Sequence, residues 1–228
     1  MKYKSVFDII GPMMMGPSSS HTAGAARIGR LARRLFNDKP DEVTITLYES
    51  FAQTYRGHCT DLALIGGLLD LDTYDSRIQD AYTLAGQQGM HITLSPSEES
   101  AEHPNTVRLQ LRKKQKDGSS PWELEVLGIS LGGGKIELIQ LNEFPIRLTG
   151  DFPALLIFHE DHFGVIATVT GLLKKSHINI GYMEMSRKGK GSQALMILEM
   201  DQSLSPKVLG RIRGIPHVHQ VCVFQGGL

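Results

Sequence analysis

From Gly16 the chain reads Gly-Pro-Ser-Ser-Ser-His-Thr and runs directly into an apolar-periodic segment, so hydroxyls and an imidazole stand where a helix begins. Hydroxyl side chains cap helix N-termini, and the unsatisfied N–H groups there, with the positive end of the helix dipole, can cradle a carboxylate or phosphate. A cap needs one Ser or Thr. Ser18, Ser19, Ser20, His21 and Thr22 exceed that need and fit an anion site as well as a cap. A second segment, Thr54-Tyr55-Arg56-Gly57-His58-Cys59-Thr60-Asp61, precedes another apolar stretch. The Arg56 guanidinium can pair with a carboxylate, and the His58 imidazole can move a proton near neutral pH, although a lone histidine beside a glycine is more often a loop or capping residue. His21 and His58 are too few ligands for zinc unless a carboxylate such as Asp61 joins them.

Two further segments bear on function. Ser130-Leu131-Gly132-Gly133-Gly134 lacks the helix that follows a dinucleotide fingerprint, because residues 135–141 alternate like a strand; a tight hairpin is expected. In Glu160-Asp161-His162-Phe163-Gly164-Val165-Ile166, Gly164 permits a tight turn into a helix whose N–H groups could meet the carboxylate of an amino acid, with Asn179 opening the next strand. This half carries neither a nucleophile with its base nor a metal set, which favours sensing or assembly over catalysis.

The elements that must position these residues follow from periodicity. Residues 23–36 place Ala25, Ile28, Ala32 and Leu35 on one helical stripe, residues 43–47 alternate as a strand, and 60–71 and 76–88 read as helices. Strands are expected over 91–94, 107–112, 122–131 and 136–141, with a turn at 117–120. After a break near Gly150 the order is strand 154–159, helix 164–176, a hairpin of 178–187 and 193–201, helix 205–213 and strand 218–224. The fold class is therefore α+β: a mixed α+β domain over 1–148, followed by a βαββαβ, ferredoxin-like domain over 151–228.

Composition excludes several functions. Twenty-four basic residues balance twenty-four acidic ones, so no global field would hold a polyanion and nucleic acid is not an expected partner. The basic run Arg112, Lys113, Lys114 and Lys116 reads as a solvated hairpin tip. No apolar run reaches the roughly 18 residues that span a bilayer and the first residues lack a signal core, so a cytoplasmic, membrane-free protein is expected. Cys59 and Cys222 are the only cysteines, too few to hold an iron–sulfur cluster without another chain.

The sequence resembles the beta chains of the bacterial iron–sulfur L-serine dehydratases, also called L-serine ammonia-lyases. The resemblance is carried by Ser5-Val6-Phe7-Asp8-Ile9-Ile10-Gly11-Pro12, by the run from Gly16 to Gly24, by Gly57-His58-Cys59-Thr60-Asp61 with Gly66-Gly67-Leu68, and by Gly132-Gly133-Gly134. Cys59 departs from the pattern, which usually has glycine there. The resemblance implies an alpha-chain partner bearing a [4Fe-4S] cluster and the conversion of L-serine to pyruvate and ammonia. His21 is then a catalytic residue shared with the alpha chain, and Ser18, Ser19, Ser20, Thr22, Arg56 and His58 bind substrate or, alternatively, form a separate effector pocket. Residues 151–228 resemble an ACT domain through His162 to Ile166 and Ile178-Asn179-Ile180. That implies an effector site at His162, Phe163, Gly164, Val165, Asn179 and Ile180, with L-serine or another amino acid as ligand, and ACT-mediated self-association. The 1–148 domain resembles the substrate- or effector-binding domain of the same family, related in fold to the regulatory domain of some phosphoglycerate dehydrogenases. The rival reading is a stand-alone ACT-type sensor or assembly module for an unrelated enzyme, which would have no use for the 18–22 and 57–61 segments.

Overall fold

The computed structural model describes residues 12–115 and 120–228. Residues 5–11 of the first motif, Lys116 and residues 117–119 of the expected turn lie outside the described residues. The chain divides into two compact units, one running to Glu143 with Arg147–Thr149, the other comprising Phe144–Ile146 and Gly150–Gly227. No helix among the described residues is long and apolar enough to cross a membrane.

In the first unit a turn of π-helix, Ser19–Gly24, feeds α1 (Ala25–Phe36), which ends where Asn37 adopts left-handed φ and its N–H reaches the carbonyls of Arg33 and Arg34. Strand β1 (Glu42–Leu47) is followed by α2 (Glu49–Thr54), α3 (Thr60–Leu68), a 3-10 turn (Ser76–Asp80), α4 (Ala81–Gln87) and β2 (His91–Pro96). Strands β3 (Thr106–Lys113), β4 (Trp122–Gly132), β5 (Lys135–Leu141) and β6 (Phe144–Leu148) complete a six-stranded sheet of order β2-β1-β3-β4-β5-β6. Strands β1 and β2 pair in parallel, which a hairpin cannot achieve; the helices between them supply the crossover. Val43, Ile45, Leu47, Val107, Leu109, Leu111, Leu124 and Val126 are buried at alternating positions, while Thr44, Gln110 and Glu125 pair on the other face.

Helix α1 packs without an intervening side-chain layer. A Cβ at Gly29 would lie 2.3 Å from the Leu64 carbonyl oxygen, one at Gly67 would lie 2.0 Å from the Ala26 carbonyl oxygen, and one at Gly128 would strike the Ile28 side chain at 2.7 Å. Glycine is thus required where α1 crosses α3, because the neighbouring atoms are backbone and cannot rotate away.

Three expectations are corrected. Helix 60–71 ends at Leu68, because Asp70 takes a left-handed φ of 61° and closes the turn. The helix over 76–88 divides into the 3-10 turn and α4. The helix expected over 23–36 begins earlier: Ala23 N–H donates to Ser18 O at 3.3 Å, and residues 19–24 form a π-helical turn ahead of α1 with Ser18 as its cap.

The second unit contains β7 (Ala154–Glu160), α5 (Val165–Lys175), β8 (Ile180–Arg187), β9 (Gln193–Met200), α6 (Pro206–Arg213) and β10 (Val218–Phe224). Its sheet has the order β10-β7-β9-β8 with antiparallel neighbours, the βαββαβ arrangement expected from sequence. Leu155 and Ile157 of β7, Met196, Leu198 and Met200 of β9, and Val221 of β10 pack with Val165, Val169 and Leu173 of α5 and Val208 and Ile212 of α6.

Replacing Gly67 with Ala should force α1 and α3 apart and cost at least about 2 kcal/mol, as overpacking of a dense interior does. Chemical denaturation of Gly67→Ala beside Gly86→Ala, where nothing lies within 4 Å of the added methyl, checks this.

Candidate functional site

Ser18 is the cap. Its Oγ accepts from His21 N–H at 3.1 Å, and its carbonyl accepts from Thr22 N–H at 2.9 Å. With the capping role filled, Ser20 and His21 are available for other contacts. His21 Nδ1 lies 3.0 Å from Ser20 Oγ, which lies 3.3 Å from Ser18 Oγ; His21 Nε2 lies 3.1 Å from Ser50 Oγ in α2. The imidazole packs between Phe51, edge-on at 5.1 Å, and His58, tilted at 4.7 Å. Buried Thr22 donates its hydroxyl proton to His58 O at 3.0 Å, so the two segments singled out from sequence meet through Thr22, His21 and His58.

Burial, and then the neighbouring His58, hold the His21 pKa below its ordinary value. A histidine so placed is neutral near pH 7 and can accept a proton. Ser19 is half-buried at the start of the turn. Arg56 does not join the hydroxyl cluster: it is exposed, its Nε donates to Tyr55 Oη at 3.2 Å, and its guanidinium lies over the Tyr55 ring. Nearby, burial and Asp61 push the Tyr82 phenol up to about 12, and that phenol donates to Asp61 Oδ2 at 3.4 Å.

Two supports reach the turn and α1 from the segment that contains Ser130 and the three glycines. Ser130, fully buried, donates to Ser20 O at 2.9 Å and its own carbonyl accepts from Asn105 Nδ2 at 3.2 Å; Asn105 N–H in turn donates to His103 Nδ1 at 3.1 Å. The hairpin expected at Gly132, Gly133 and Gly134 is present with φ of 90°, 62° and 76°, and Gly134 O accepts from Arg27 of α1 at 2.7 Å. That hairpin therefore anchors the start of α1 as well as reversing the chain. Ser50, His103 and Asn105 carried no sequence signal, since each stands in a short segment without apolar periodicity. Two residues adjoining the site have left-handed backbones without being glycine: Glu49 (φ 47°) before Ser50, and Cys59 (φ 55°) after His58. Each such residue costs about 1–2 kcal/mol, which accounts physically for a glycine pattern at position 59.

In the second unit Gly164 has φ 89° and starts α5, Val165 is buried, Phe163 is 98% exposed, and the His162 ring stacks on His217 at 3.9 Å. Asn179 Nδ2 donates to Asp201 Oδ2 at 2.7 Å, just before Ile180 opens β8. These residues do not form one pocket within a chain. Glu160 pairs with Gln193 and Ile180 with Met200, so the two groups lie at opposite ends of β9, about 20 Å apart at strand rise. The cause is topological: β7 and β8 both run antiparallel to β9, so they begin at the same end.

The donors do not fit an iron–sulfur cluster. The chain has two thiols in separate units, that of Cys222 is pushed up to about 11 by burial, and the described residues hold no group of three or more His, Cys, Asp or Glu suited to a metal ion.

Residues 5–88 match the family model described as serine dehydratase beta chain, and residues 154–217 match the ACT domain. The chain is 50% identical over 221 residues to a probable L-serine dehydratase beta chain of Bacillus subtilis (strain 168), covering 97% of this chain and 98% of that one. It is 32% identical over 212 residues to an L-serine dehydratase beta chain of Peptoniphilus asaccharolyticus, covering 92% and 93%. It is also 25% identical over 199 residues to a D-3-phosphoglycerate dehydrogenase of Bacillus subtilis, 86% of this chain but 36% of that one.

Two outcomes are expected. Because the folded pKa of His21 lies below that of the unfolded chain, the unfolded state binds the proton first; stability linked to His21 is complete above about pH 6.5 and lost as the pH falls below it. Thermal melts from pH 7.5 to 5.5 should therefore show a smaller loss in Tm for His21→Gln than for the unaltered chain. Cys59→Gly should raise stability by about 0.5–1 kcal/mol and Cys59→Val lower it by more than about 1 kcal/mol, by urea denaturation.

Proposed function

The chain belongs to the family of L-serine dehydratase beta chains, and from that premise we propose that it is the beta subunit of a two-chain, cytoplasmic L-serine ammonia-lyase converting L-serine to pyruvate and ammonia. Since the cysteines of this chain do not suit a cluster, the [4Fe-4S] group belongs to the alpha chain, where it supplies Lewis-acid chemistry toward the substrate hydroxyl. The carrying observation is the His21 imidazole held between the hydroxyls of Ser20 and Ser50 beside His58, where burial and His58 lower its pKa. Hydroxyl donors and N-terminal N–H groups of the π turn suit the serine carboxylate, and the imidazole suits proton transfer during loss of water. The aminoacrylate so formed tautomerises to an imine, which water hydrolyses to pyruvate and ammonia. Residues 1–148 form the substrate-binding domain. Arg56, exposed on Tyr55, lies outside the hydroxyl cluster and offers a guanidinium to a carboxylate at the rim.

Residues 151–228 act as the regulatory ACT domain, with an amino acid as effector. Because His162 to Val165 and Asn179 with Ile180 sit at opposite ends of the sheet, a pocket that uses both draws them from two copies, which supports self-association through this domain.

Anaerobic reconstitution with an alpha chain and its cluster, assayed by pyruvate formation, tests the reading: activity should require both chains. His21→Ala should lower turnover at saturating L-serine by about 100-fold or more with normal cluster content, within the range of lost acid–base catalysis. Full turnover with lost activation would instead make residues 18–22 an effector pocket. Gly164→Asp should weaken the effector response while leaving turnover at saturation unchanged.

A further inference from the structure

We propose that Ser50 is a positioning residue for His21, fixing which ring nitrogen carries the proton and which way the ring faces. The inference rests on the acid–base reading of His21 and extends it to a residue in a different element.

A neutral imidazole has one N–H and one bare nitrogen, so with a hydroxyl at each nitrogen, one hydroxyl must accept and the other donate. Ser20 and Ser50 stand in those two places, at 3.0 Å from Nδ1 and 3.1 Å from Nε2. Ser20 belongs to the same turn as His21 and moves with it. Ser50 comes from α2, 29 residues along the chain, so its hydroxyl ties the ring to a separate element. The flanking rings cannot do this: Phe51 at 5.1 Å and His58 at 4.7 Å bound the ring from its sides, and a half-turn about the Cβ–Cγ bond would leave both packings nearly unchanged. That half-turn exchanges nitrogen for carbon at both hydroxyls, and only the hydrogen bonds oppose it.

The backbone around Ser50 is held to the same end. Glu49, immediately before it, is kept at φ 47° while its Oε1 accepts from Ala101 N–H at 3.3 Å. A conformation that disfavours side chains, clamped by a long-range hydrogen bond, sets the first turn of α2 so that residue 50 faces His21. On the other side of His21, the Ser18 and Ser20 hydroxyls continue the chain at 3.3 Å, giving a series Ser18, Ser20, His21, Ser50 along which hydroxyl orientations and the imidazole tautomer are coupled.

The test compares Ser50→Ala, Ser50→Thr and His21→Ala in the complex reconstituted with alpha chain and cluster, together with histidine ring ¹⁵N NMR of the chain. Ser50→Ala should lower kcat by about 10- to 100-fold, as small misplacements of catalytic groups do, with KM for L-serine changed less than about twofold. Ser50→Thr, which keeps the hydroxyl, should recover most of that loss. The His21 ring nitrogens should show a single neutral tautomer in the unaltered chain and averaged shifts in Ser50→Ala. An unaltered tautomer in Ser50→Ala overturns the proposal whatever the rates. So does a kcat loss that threonine does not repair. Wild-type turnover in His21→Ala would sink the acid–base reading instead, and the ¹⁵N spectra would still decide whether Ser50 orients the ring.

Discussion

The backbone-to-backbone crossing of α1 and α3 is the constraint on which the first unit depends. At Gly29 and Gly67 no side chain separates the two helices, and any Cβ would meet a carbonyl oxygen closer than van der Waals contact allows. The crossing lies eight residues beyond His21 and nine beyond His58. These nearly equal offsets bring the two N-terminal ends together, so two segments far apart in sequence place their imidazoles at ring-contact distance. A helix pair spaced by leucines would sit 8–10 Å apart axis to axis and would not close the site in this way.

The sheet completes the arrangement from below. Gly128 lets α1 lie against β4, and Trp122 of the same strand donates its indole N–H to Phe36 O at the far end of the helix. Ser130, near the other end of β4, reaches the Ser20 carbonyl. One strand therefore holds α1 and its π turn at three points, and the site inherits the rigidity of a central strand.

Much of this was legible in residue patterns. The apolar stripe of Ala25, Ile28, Ala32 and Leu35 marked α1, alternation marked β1, β3, β4 and β5, and the element order of residues 151–228 fixed the second fold. Helix α2 escaped notice because Glu-Ser-Phe-Ala-Gln-Thr buries only Phe51, and one anchor makes no period. Strand β6 carries Pro145 and is five residues long. The end of α3 was misplaced because the segment is apolar on all sides, so periodicity gives no phase and only the backbone at Asp70 stops it. At the site, residues 18–22 and His58 stood out by type. Ser50, His103 and Asn105 did not, because their contribution comes from tertiary proximity rather than spacing; Ser130 stood in the glycine segment, which marked a hairpin but not the reach to the Ser20 carbonyl. The separation of Asn179 from His162 was hidden for a related reason: which ends of strands coincide depends on the order of the sheet.

The π turn at Ser19–Gly24 has a mechanical consequence. With α1 pinned on both sides by glycine contacts, it has no soft layer on which to slide. The angular setting of His21 follows from the i+5 hydrogen bond that Ala23 N–H donates to the Ser18 carbonyl. Drawing that turn into ordinary α geometry would remove one residue from the coil and swivel everything before it by about 100° around the helix axis. The extra residue in the turn thus sets the bearing at which the serine run leaves the axis of α1, and the Ser130 bond to the Ser20 carbonyl holds that bearing.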